Sequence, residues 1–328
     1  MRKQIQELSW LEAMKQRGQL SNDEQKSYQR LQRGFQGELA FDQLCDHFLG
    51  NKINCLDDVT IDYQGDVLQM DKILNNKDII YLIDIKNYQG NYIYKNNSLK
   101  TGDVTFTNNI IEQARRSRRI FTQLFNKHHL QLTIKNVIVF INDKSRINLC
   151  DDLPEIVLNY EEIPTWLMSI SHDTQITYRD DWQKLVQKYQ VPSFKTSRIC
   201  TTERFKQLEK GIHCEKCGSF SLKSNRYTLQ CACGHIETKQ ITFLGTICEY
   251  GLIMHHLPLK RSEIVKFFGK NYSADYIKNT LINYFEPLNV NKKDGKYQNY
   301  GQPFDYWFEN ELISFEKLEK RKNWQSNF

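Results

Sequence analysis

The sequence predicts an α/β fold in which helices cover a mixed sheet, followed by a small cysteine-rich unit and a mainly helical C-terminal region. Three observations support this prediction. Strand-sized apolar runs such as IIYLI and VIVFI alternate with amphipathic segments, which is the order of elements in an α/β domain. Four of the nine cysteines stand together as two close pairs. The residues after them have helical periodicity.

Composition and length indicate a globular protein. Hydrophobic residues make up 40% of the 328 positions, which is enough for a large core, and a prior of about 150 residues per domain gives two or three domains. No apolar run approaches the roughly 18–20 residues of a membrane helix, and the opening MRKQIQELSW lacks the apolar segment of a signal peptide. We therefore expect a cytoplasmic protein with no membrane association.

Charge is distributed unevenly along the chain. Residues 195–328 carry 21 Lys and Arg against 14 Asp and Glu, a net +7, whereas residues 1–194 carry 24 against 25, a net −1. The positive C-terminal part favours a polyanionic partner there, with an ordinary solubility charge as the alternative.

The predicted elements begin with two helices. Ser21 and Glu24 have the spacing of a capping box, so a second helix starts after a break near Gly18 and continues to about Phe48. The later elements are strands near 56–63, 66–74 and 79–87, a helix at 109–126, a strand at 137–141, a loop at 142–148 and helical turns over 160–190. Composition divides the chain into a helical lead-in (1–33), an α/β domain (34–190), a linker (191–210), a cysteine-rich unit (211–240) and a helical region (241–328).

Three charged residues interrupt strands that otherwise have a buried pattern: Asp71, Asp84 and Lys86 in QMDKILNNKDIIYLIDIK. Side chains alternate along a strand, so Asp84 and Lys86 share one face. If Asn76-Lys77 is a two-residue hairpin loop, Asp71 lies opposite Leu82 and diagonal to Asp84, on that same face.

Two carboxylates and a lysine on one face suit metal-assisted phosphodiester hydrolysis. Carboxylate oxygens bind hard cations such as Mg²⁺ or Mn²⁺, the cation polarises the phosphoryl group, and the lysine can orient or activate the attacking water. The alternative is a solvated strand face with an ordinary ion pair.

Glu38 and Gln113 extend this candidate set. Glu38 precedes Phe41 and Cys45 by three and seven residues, which places it near the buried face of its helix as a third metal-site carboxylate. The alternative is an exposed helix charge. Gln113 stands near the start of IEQARRSRRIF, where it would orient Lys86 or the substrate.

Four arginines follow on the helix that carries Gln113. They would contact phosphates through bidentate hydrogen bonds, with a solvated helix face as the alternative. These residues are Arg115, Arg116, Arg118 and Arg119.

In this order the motifs resemble the nuclease-related domain (NERD) family, a branch of the PD-(D/E)xK nuclease superfamily. The resemblance rests on GFQGELAFDQL, QMDKIL, YLIDIKNYQG and NNIIEQARR and runs from about residue 10 to 172. The family's glutamate after glycine, aspartate, acid-x-Lys pair and glutamine fall on Glu38, Asp71, Asp84 with Lys86, and Gln113. It implies a PD-(D/E)xK-like mixed sheet flanked by helices and a metal-dependent endodeoxyribonuclease.

The resemblance has further implications and two departures. The upstream LSNDEQKSYQRLQRG resembles the helical lead-in of Gram-positive members, which implies a bacterial protein, and a role in phage defence follows from family association alone. The acid-x-Lys pair is Asp84-x-Lys86, where the family more often has glutamate. The segment that usually resembles Asn-Pro-x-x-Gln is Asn109-Ile-Ile-Glu-Gln113. Every functional position keeps usable chemistry, so we expect an active site.

The cysteine unit HCEKCGSFSLKSNRYTLQCACGHIE resembles a zinc ribbon whose second knuckle is one residue shorter than usual. Four thiolates close a tetrahedral shell around a structural Zn²⁺, and the glycine after each pair permits the tight turn around the metal. His213 and His235 flank the pairs as bystanders or as replacement ligands. The predicted ligands are Cys214, Cys217, Cys231 and Cys233.

The segment LPLKRSEIVKFFGKNYSADYIKNTLINYF predicts two helices around Gly269. The arrangement resembles a helix-turn-helix, whose second helix would enter the DNA major groove with Lys278 among its contacts. Plain packing or a protein contact is the alternative.

Two functions are consistent with the whole sequence. The first is a divalent-metal-dependent DNA endonuclease that uses Mg²⁺ or Mn²⁺ and is assisted by a zinc-ribbon DNA-binding module. The second is a catalytically silent nucleic-acid-binding or regulatory protein on a nuclease fold. DNA is the expected partner, RNA stays open as a substrate, and a homodimer is an open alternative for the assembly.

Overall fold

The computed structural model describes most of the chain: residues 2–50, 53–106, 109–172, 181–191, 196–289 and 295–310. Parts of three predicted segments lie outside these residues, namely 173–180 of the helical turns, 192–195 of the linker and 311–328 of the C-terminal region. In the described ranges no helix is both long enough and apolar enough to span a bilayer.

Helices and strands alternate in the first part of the chain, and helices dominate at the end. The helices are α1 (Gln6–Arg17), α2 (Asn22–Phe48), α3 (Ile110–Lys127), α4 (Ile163–His172), α5 (Asp181–Tyr189), α6 (Thr202–Gln207), α7 (Lys239–Ile253), α8 (Arg261–Phe268), α9 (Ala274–Tyr284) and α10 (Phe304–Asn310). The strands are β1 (Asn54–Tyr63), β2 (Asp66–Asn76), β3 (Ile79–Lys86), β4 (Gly90–Lys95), β5 (Ser98–Thr101), β6 (Val104–Thr105), β7 (Thr133–Phe140), β8 (Ser145–Leu149), β9 (Ile156–Leu158), β10 (Leu222–Ser224), β11 (Thr228–Cys231), β12 (Ile236–Thr238), β13 (Leu259–Lys260) and β14 (Lys296–Tyr297).

The chain divides into two compact units. The first comprises residues 1–4 and 29–194, and the second comprises residues 5–28 and 195–328. Most of the predicted lead-in therefore belongs to the unit that contains the cysteines. The lead-in packs there through the apolar stripe of α1. Trp10 of this helix is fully buried, and its Nε1 donates a hydrogen bond to the carbonyl of Ile253 in α7 (3.1 Å).

A five-stranded mixed sheet forms the centre of the first unit, in the order β1-β2-β3-β7-β9. β1, β2 and β3 pair antiparallel, whereas β7 runs parallel to β3 and to β9. Leu82 of β3 packs on one side with Phe121 of α3, and Ile83 packs on the other side with Phe41 of α2. The mixed sheet flanked by helices is confirmed.

A second sheet contains strands that the sequence did not predict. It has the order β6-β5-β4-β8, and its β8 falls within the predicted loop at 142–148, so that prediction was wrong. The strand forms because residues 145–149 pair in parallel with residues 90–94 of β4. β8 has only five residues and no continuous apolar run. Its sequence alone therefore does not predict that it pairs with a strand about 50 positions away.

The N-terminal part of α2 begins with the predicted capping box. The amide of Ser21 donates to Glu24 Oε2 (2.9 Å), and the amide of Glu24 donates to Ser21 Oγ (3.2 Å). The helix then continues without a break past its two internal glycines to Phe48.

Gly37 lets α2 approach the ends of β3 and β7. A Cβ at this position would lie 2.7 Å from Asn87 Cβ and 3.0 Å from Ile141 Cγ2. Only a glycine therefore allows the next residue, Glu38, to lie this near the end of β3. Gly34 is different, because a Cβ there would meet no atom within 4 Å.

The second unit has its own two small sheets. The cysteine segment forms the sheet β10-β11-β12, and β13 pairs with β14 further along the chain. β10 and β11 form an antiparallel hairpin between the two cysteine pairs, with Leu222 opposite Cys231.

We predict opposite effects for alanine at the two glycines of α2. Gly37→Ala should lower the free energy of unfolding by about 1–3 kcal/mol because the helix must move away from Asn87. Gly34→Ala, the matched control, should raise it by roughly 0.5–1 kcal/mol because alanine is the better helix former. Urea denaturation of both variants measures the difference, and equal effects would contradict the close approach.

Candidate functional site

The β2–β3 hairpin has a different register from the predicted one. Asn76 pairs with Ile79, so the loop is Lys77-Asp78 and not Asn76-Lys77. Lys77 adopts the left-handed φ of 52° that such a loop needs. The predicted register was therefore wrong by two residues, and Leu82 faces Ile73. Because the shift is even, every side chain keeps its face.

This register brings Asp71 and Asp84 to the place where β2 and β3 separate. The ladder of paired residues ends at Lys72 and Ile83, and the two aspartates are the next residues along each strand. The Asp71 carboxylate replaces the missing backbone acceptor, because its Oδ2 accepts the amide hydrogen of Ile85 (2.7 Å). The two carboxylates therefore lie at one fork of the sheet, where β2 and β3 stop pairing.

Lys86 satisfies only one oxygen of Asp84. Lys86 Nζ donates to Asp84 Oδ1 (2.7 Å), and both side chains are about 15% exposed. Among the described residues, Asp84 Oδ2 is buried and has no hydrogen-bond partner. A buried carboxylate oxygen without a donor is unfavourable, and a divalent cation is the kind of group that satisfies it. The donor set therefore fits a hard cation.

Burial and mutual repulsion perturb the acidic groups. Burial, followed by the charge of Asp84, raises the pKa of Asp71. Burial also raises the pKa of Glu38 to about 7, although the nearby Arg2 charge opposes the shift. Burial alone would lower the pKa of the Lys86 ammonium, but Asp84 outweighs it and the pKa is raised. Lys86 is therefore a cationic donor in this arrangement.

Arg2 contacts this site and was not among the predicted residues. Its guanidinium is 1% exposed and lies 3.3 Å from Glu38 Oε2 and 2.8 Å from Asp42 Oδ2. It also donates to the main-chain carbonyl of Asp71 (2.8 Å). Nothing in the local pattern indicates this position, because Arg2 stands more than 30 residues before the first motif.

The three predicted metal-site carboxylates are near one another but do not form a closed set. Glu38, Asp71 and Asp84, all of them described, are not a group whose ligand oxygens lie within 4.8 Å of one another. Glu38 instead pairs with Arg2. The structure therefore brings Asp71, Asp84 and Lys86 together, whereas Glu38 is paired with the guanidinium of Arg2.

The helix that carries Gln113 covers the face to which Asp84 points. Asn109 caps this helix through hydrogen bonds to the amides of Ile111 (3.0 Å) and Glu112 (3.3 Å), which is how the helix starts without the family's proline. Gln113 is exposed, and in the described part of the chain its side chain makes no hydrogen bond to Lys86 or to the aspartates.

The predicted phosphate-contact residues differ in their surroundings. Arg115 pairs with Glu155 (3.1 Å) and Glu112 (2.9 Å), and Arg116 pairs with Asp66 (2.6 Å). The other predicted contacts are exposed: Arg118 and Arg119 on α3, and Lys278 on α9. Arg118 and Arg119 can therefore reach a phosphate without giving up an ion pair.

The four predicted zinc ligands form one cluster in the second unit. Their sulfur atoms all lie within 4.8 Å of one another, with Cys214 Sγ 3.7 Å from Cys233 Sγ and Cys217 Sγ 3.4 Å from Cys231 Sγ. A tetrahedral shell with Zn–S bonds of about 2.3 Å separates its sulfurs by roughly 3.8 Å. The cluster therefore has the size of a zinc shell and is consistent with the predicted C-terminal ribbon.

The two flanking histidines make other contacts. His213 Nε2 lies 3.2 Å from Glu249 Oε2, and His235 groups with Glu215 and Glu237. Neither belongs to the sulfur cluster. Gly218 and Gly234, which follow the cysteine pairs, have φ values of 75° and 87°, so both turns use the left-handed backbone that glycine permits.

Comparison with family models matches residues 33–141 to NERD, the nuclease-related domain. The match covers about a third of the chain, includes Glu38, Asp71, Asp84, Lys86 and Gln113, and implies a nuclease-related fold for that stretch. It confirms the resemblance that the motifs predicted. Comparisons with curated proteins and with solved structures gave no match.

We predict that the free energy of unfolding of the metal-free protein falls as pH rises, because Asp71 and Asp84 repel each other once both are ionised. The pKa of Asp71 is higher in the folded than in the unfolded chain, so its contribution to stability is present in acid and is lost as pH rises through the folded pKa. Asp71→Asn should remove that loss, because asparagine still accepts the Ile85 amide hydrogen. Hydrogen exchange of β3 peptides, corrected for intrinsic rates, should show about tenfold more protection in the variant at pH 9, a change of about 1.4 kcal/mol.

Asp103→Asn is the control, because Asp103 is exposed and distant in sequence from the fork. It should keep the wild-type pH profile. Addition of Mn²⁺ should restore protection in wild type and in this control, but not in Asp71→Asn. Identical profiles for wild type and Asp71→Asn would contradict the repulsion.

We further predict that Arg2 weakens cation binding at this site. Arg2→Met removes a positive charge from Glu38, while Asp42 keeps Lys72 as a partner (3.0 Å). A charge at this range is worth on the order of 1 kcal/mol after screening, so the variant should bind Mn²⁺ about fivefold more tightly. Calorimetric titration at pH 8.5 with zinc-loaded protein measures this, and an unchanged or weaker affinity would show that Arg2 does not compete with the cation.

Proposed function

We propose that the first unit hydrolyses phosphodiester bonds of DNA with a divalent cation, Mg²⁺ or Mn²⁺, held by Asp71 and Asp84. In the described part of the chain, the observation that supports this most is the buried Oδ2 of Asp84, which has no hydrogen-bond partner and lies beside a second carboxylate. The hydrogen bond from Lys86 reaches only the other oxygen of Asp84. The NERD match over the same residues supports the reaction class.

Each residue has a role that follows from its position. Bound Mg²⁺ or Mn²⁺ would polarise the phosphoryl group and stabilise charge on the leaving oxygen. Asp71 and Asp84 would hold the cation. Glu38 would become the third carboxylate of the metal site after breaking its ion pair with Arg2. Lys86, held beside Asp84, donates a hydrogen bond to the attacking water and orients it. Gln113 orients Lys86 or the substrate.

Binding of the polyanion would use residues on α3 and the second unit. Arg118 and Arg119 are exposed and can hold phosphates on either side of the scissile bond. The four clustered thiolates would bind a structural Zn²⁺ that holds the two knuckles of the ribbon together, because so small a sheet lacks a core of its own. The ribbon then supports a DNA-binding surface of the C-terminal part.

A catalytically silent binding protein is the second candidate. One observation favours it: Glu38 is paired with Arg2, and the three carboxylates are not gathered around one point. A fold that has replaced its metal with a guanidinium would have this arrangement. The two candidates differ in metal-dependent cleavage and not in DNA affinity.

We predict that zinc-loaded protein nicks or linearises supercoiled plasmid only when Mg²⁺ or Mn²⁺ is added. Asp84→Asn and Lys86→Met should each lower the cleavage rate at least about a hundredfold, because one removes a metal ligand and the other the donor to the attacking water. Gel-resolved single-turnover rates measure both.

The matched controls are Asp103→Asn, in the turn between β5 and β6, and Lys100→Met, in β5; both residues are exposed. They should cleave at the wild-type rate. If wild type, variants and controls alike leave plasmid, linear duplex, single strands and RNA intact while DNA binding persists, the silent binding protein is the correct function. Metal-dependent cleavage of RNA alone would replace DNA as the substrate.

A further inference from the structure

Residues 239–298 of the second unit have a strand and helix order that neither the zinc cluster nor the metal site explains. After α7, the short strand β13 pairs antiparallel with β14, with Leu259 opposite Tyr297. Between these strands lie α8 and α9. The chain after α9 then pairs with β14 from the other side, since Leu288 N donates to Lys296 O (3.1 Å) and Gln298 N donates to Glu286 O (2.8 Å).

The resulting order is helix, strand, helix, helix, a single bridge residue and strand: β14 pairs with β13 on one side, and Pro287 forms an antiparallel bridge with Tyr297 on the other. This is a helix-turn-helix extended by a β-hairpin, the arrangement called a winged helix. The predicted helix-turn-helix is the α8–α9 pair within it. The turn at Gly269 has a φ of 75°, which only glycine adopts without strain.

An aromatic core fixes α9 against the other two helices. The ring of Phe243 on α7 lies 5.0 Å from Phe268 of α8 and 4.5 Å from Tyr276 of α9. Ile277 and Leu281 of α9 are fully buried. One side of α9 therefore packs in the core. The opposite side is held rigidly and does not take part in that packing.

The outer side of α9 presents a stripe of exposed residues at helical spacing. Lys278, Asn279, Ile282 and Asn283 are all exposed, and Ile282 is 45% exposed despite being apolar. Residues three and four apart lie on one face of a helix. An eleven-residue helix is about 16 Å long, which suits one passage through the DNA major groove.

Charge around this stripe favours a polyanion. Residues 257–298 contain eight Lys and Arg against four Asp and Glu. The basic residues that the structure describes there are exposed: Lys260, Arg261, Lys266, Lys270, Lys278 and Lys296. One of the acids, Glu263, is already paired with Lys266 (2.9 Å).

We propose that residues 239–289 and 295–298 form a winged-helix module that binds double-stranded DNA, with α9 in the major groove. The side chains have the chemistry for base edges: Asn279 and Asn283 match adenine, Ile282 matches the thymine methyl, and Asp275 at the start of α9 can accept from cytosine. Lys278 contacts a phosphate or guanine. This binding needs no catalytic metal, so it stands whether or not the first unit cleaves DNA.

The test is binding by the full-length, zinc-loaded protein without added Mg²⁺ or Mn²⁺, so that hydrolysis cannot consume the probe. Fluorescence anisotropy compares a labelled 30-base-pair duplex of mixed sequence with the corresponding single strand at fixed salt. The double variant Lys278→Ala/Asn279→Ala should lose about tenfold or more in duplex affinity, since each groove contact contributes a substantial factor. Lys100→Ala, an exposed lysine of the first unit, is the charge-matched control and should bind as wild type does.

A second measurement distinguishes groove binding from simple charge attraction. Methylation of guanine N7 in the duplex, which blocks the major groove, should weaken binding by wild type and have little effect on the double variant. Unchanged duplex affinity in the double variant would overturn the proposal. Equal losses for duplex and single strand, with no effect of N7 methylation, would also overturn it, because α9 would then supply charge only. Unchanged far-ultraviolet circular dichroism confirms that the variant, altered only at exposed positions, is folded.

Discussion

The fork between β2 and β3 is the constraint on which the first unit's chemistry depends. Beyond Lys72 and Ile83 the two strands stop pairing, and a carboxylate takes the amide hydrogen that a backbone carbonyl would otherwise accept. A strand end that opens in this way exposes backbone donors and places adjacent side chains at one point. Asp71 therefore has a structural role, because its carboxylate accepts the amide hydrogen of Ile85. The second carboxylate, Asp84, is held at the same point by continuity of β3.

The carboxylates near this fork are largely buried, so their negative charge must be compensated. Three basic residues form ion pairs with them. Lys86 pairs with Asp84. Lys72, 3% exposed, lies between Asp42 and Asp57. Arg2 pairs with Glu38 and Asp42. One oxygen of Asp84 is left over, and burial raises the pKa of both Asp71 and Glu38. Among the described residues Asp84 Oδ2 has no hydrogen-bond partner, and an unsatisfied buried carboxylate oxygen is unfavourable.

The second unit solves a different physical problem. Its cysteine segment has three short strands, too few to bury a core, and four cysteine sulfurs lie together where apolar side chains would normally pack. The helices that follow do have an apolar core, because aromatic rings of α7, α8 and α9 pack together. This division lets one face of α9 remain polar and exposed without loss of stability.

The sequence by itself determined the features that depend on local spacing. The capping box at Ser21, the strands around IIYLI and VIVFI, the cysteine pairs with their glycines, and the shared face of Asp84 and Lys86 all follow from short-range periodicity or steric rules. The NERD resemblance could be stated from motif order for the same reason.

Only the tertiary structure decided which residues complete each site. The hairpin register depended on which residue adopts a positive φ, and Asn76 and Lys77 are both plausible from sequence. Strand β8 exists because β4 offers an edge, which no local pattern shows. Arg2 reaches Glu38 and Asp42 across 36 and 40 positions, and β13 pairs with β14 although each strand has only two residues. Contacts of this kind are selected by the energy of the whole fold, since a short polar segment carries too little hydrophobic signal to specify its partner.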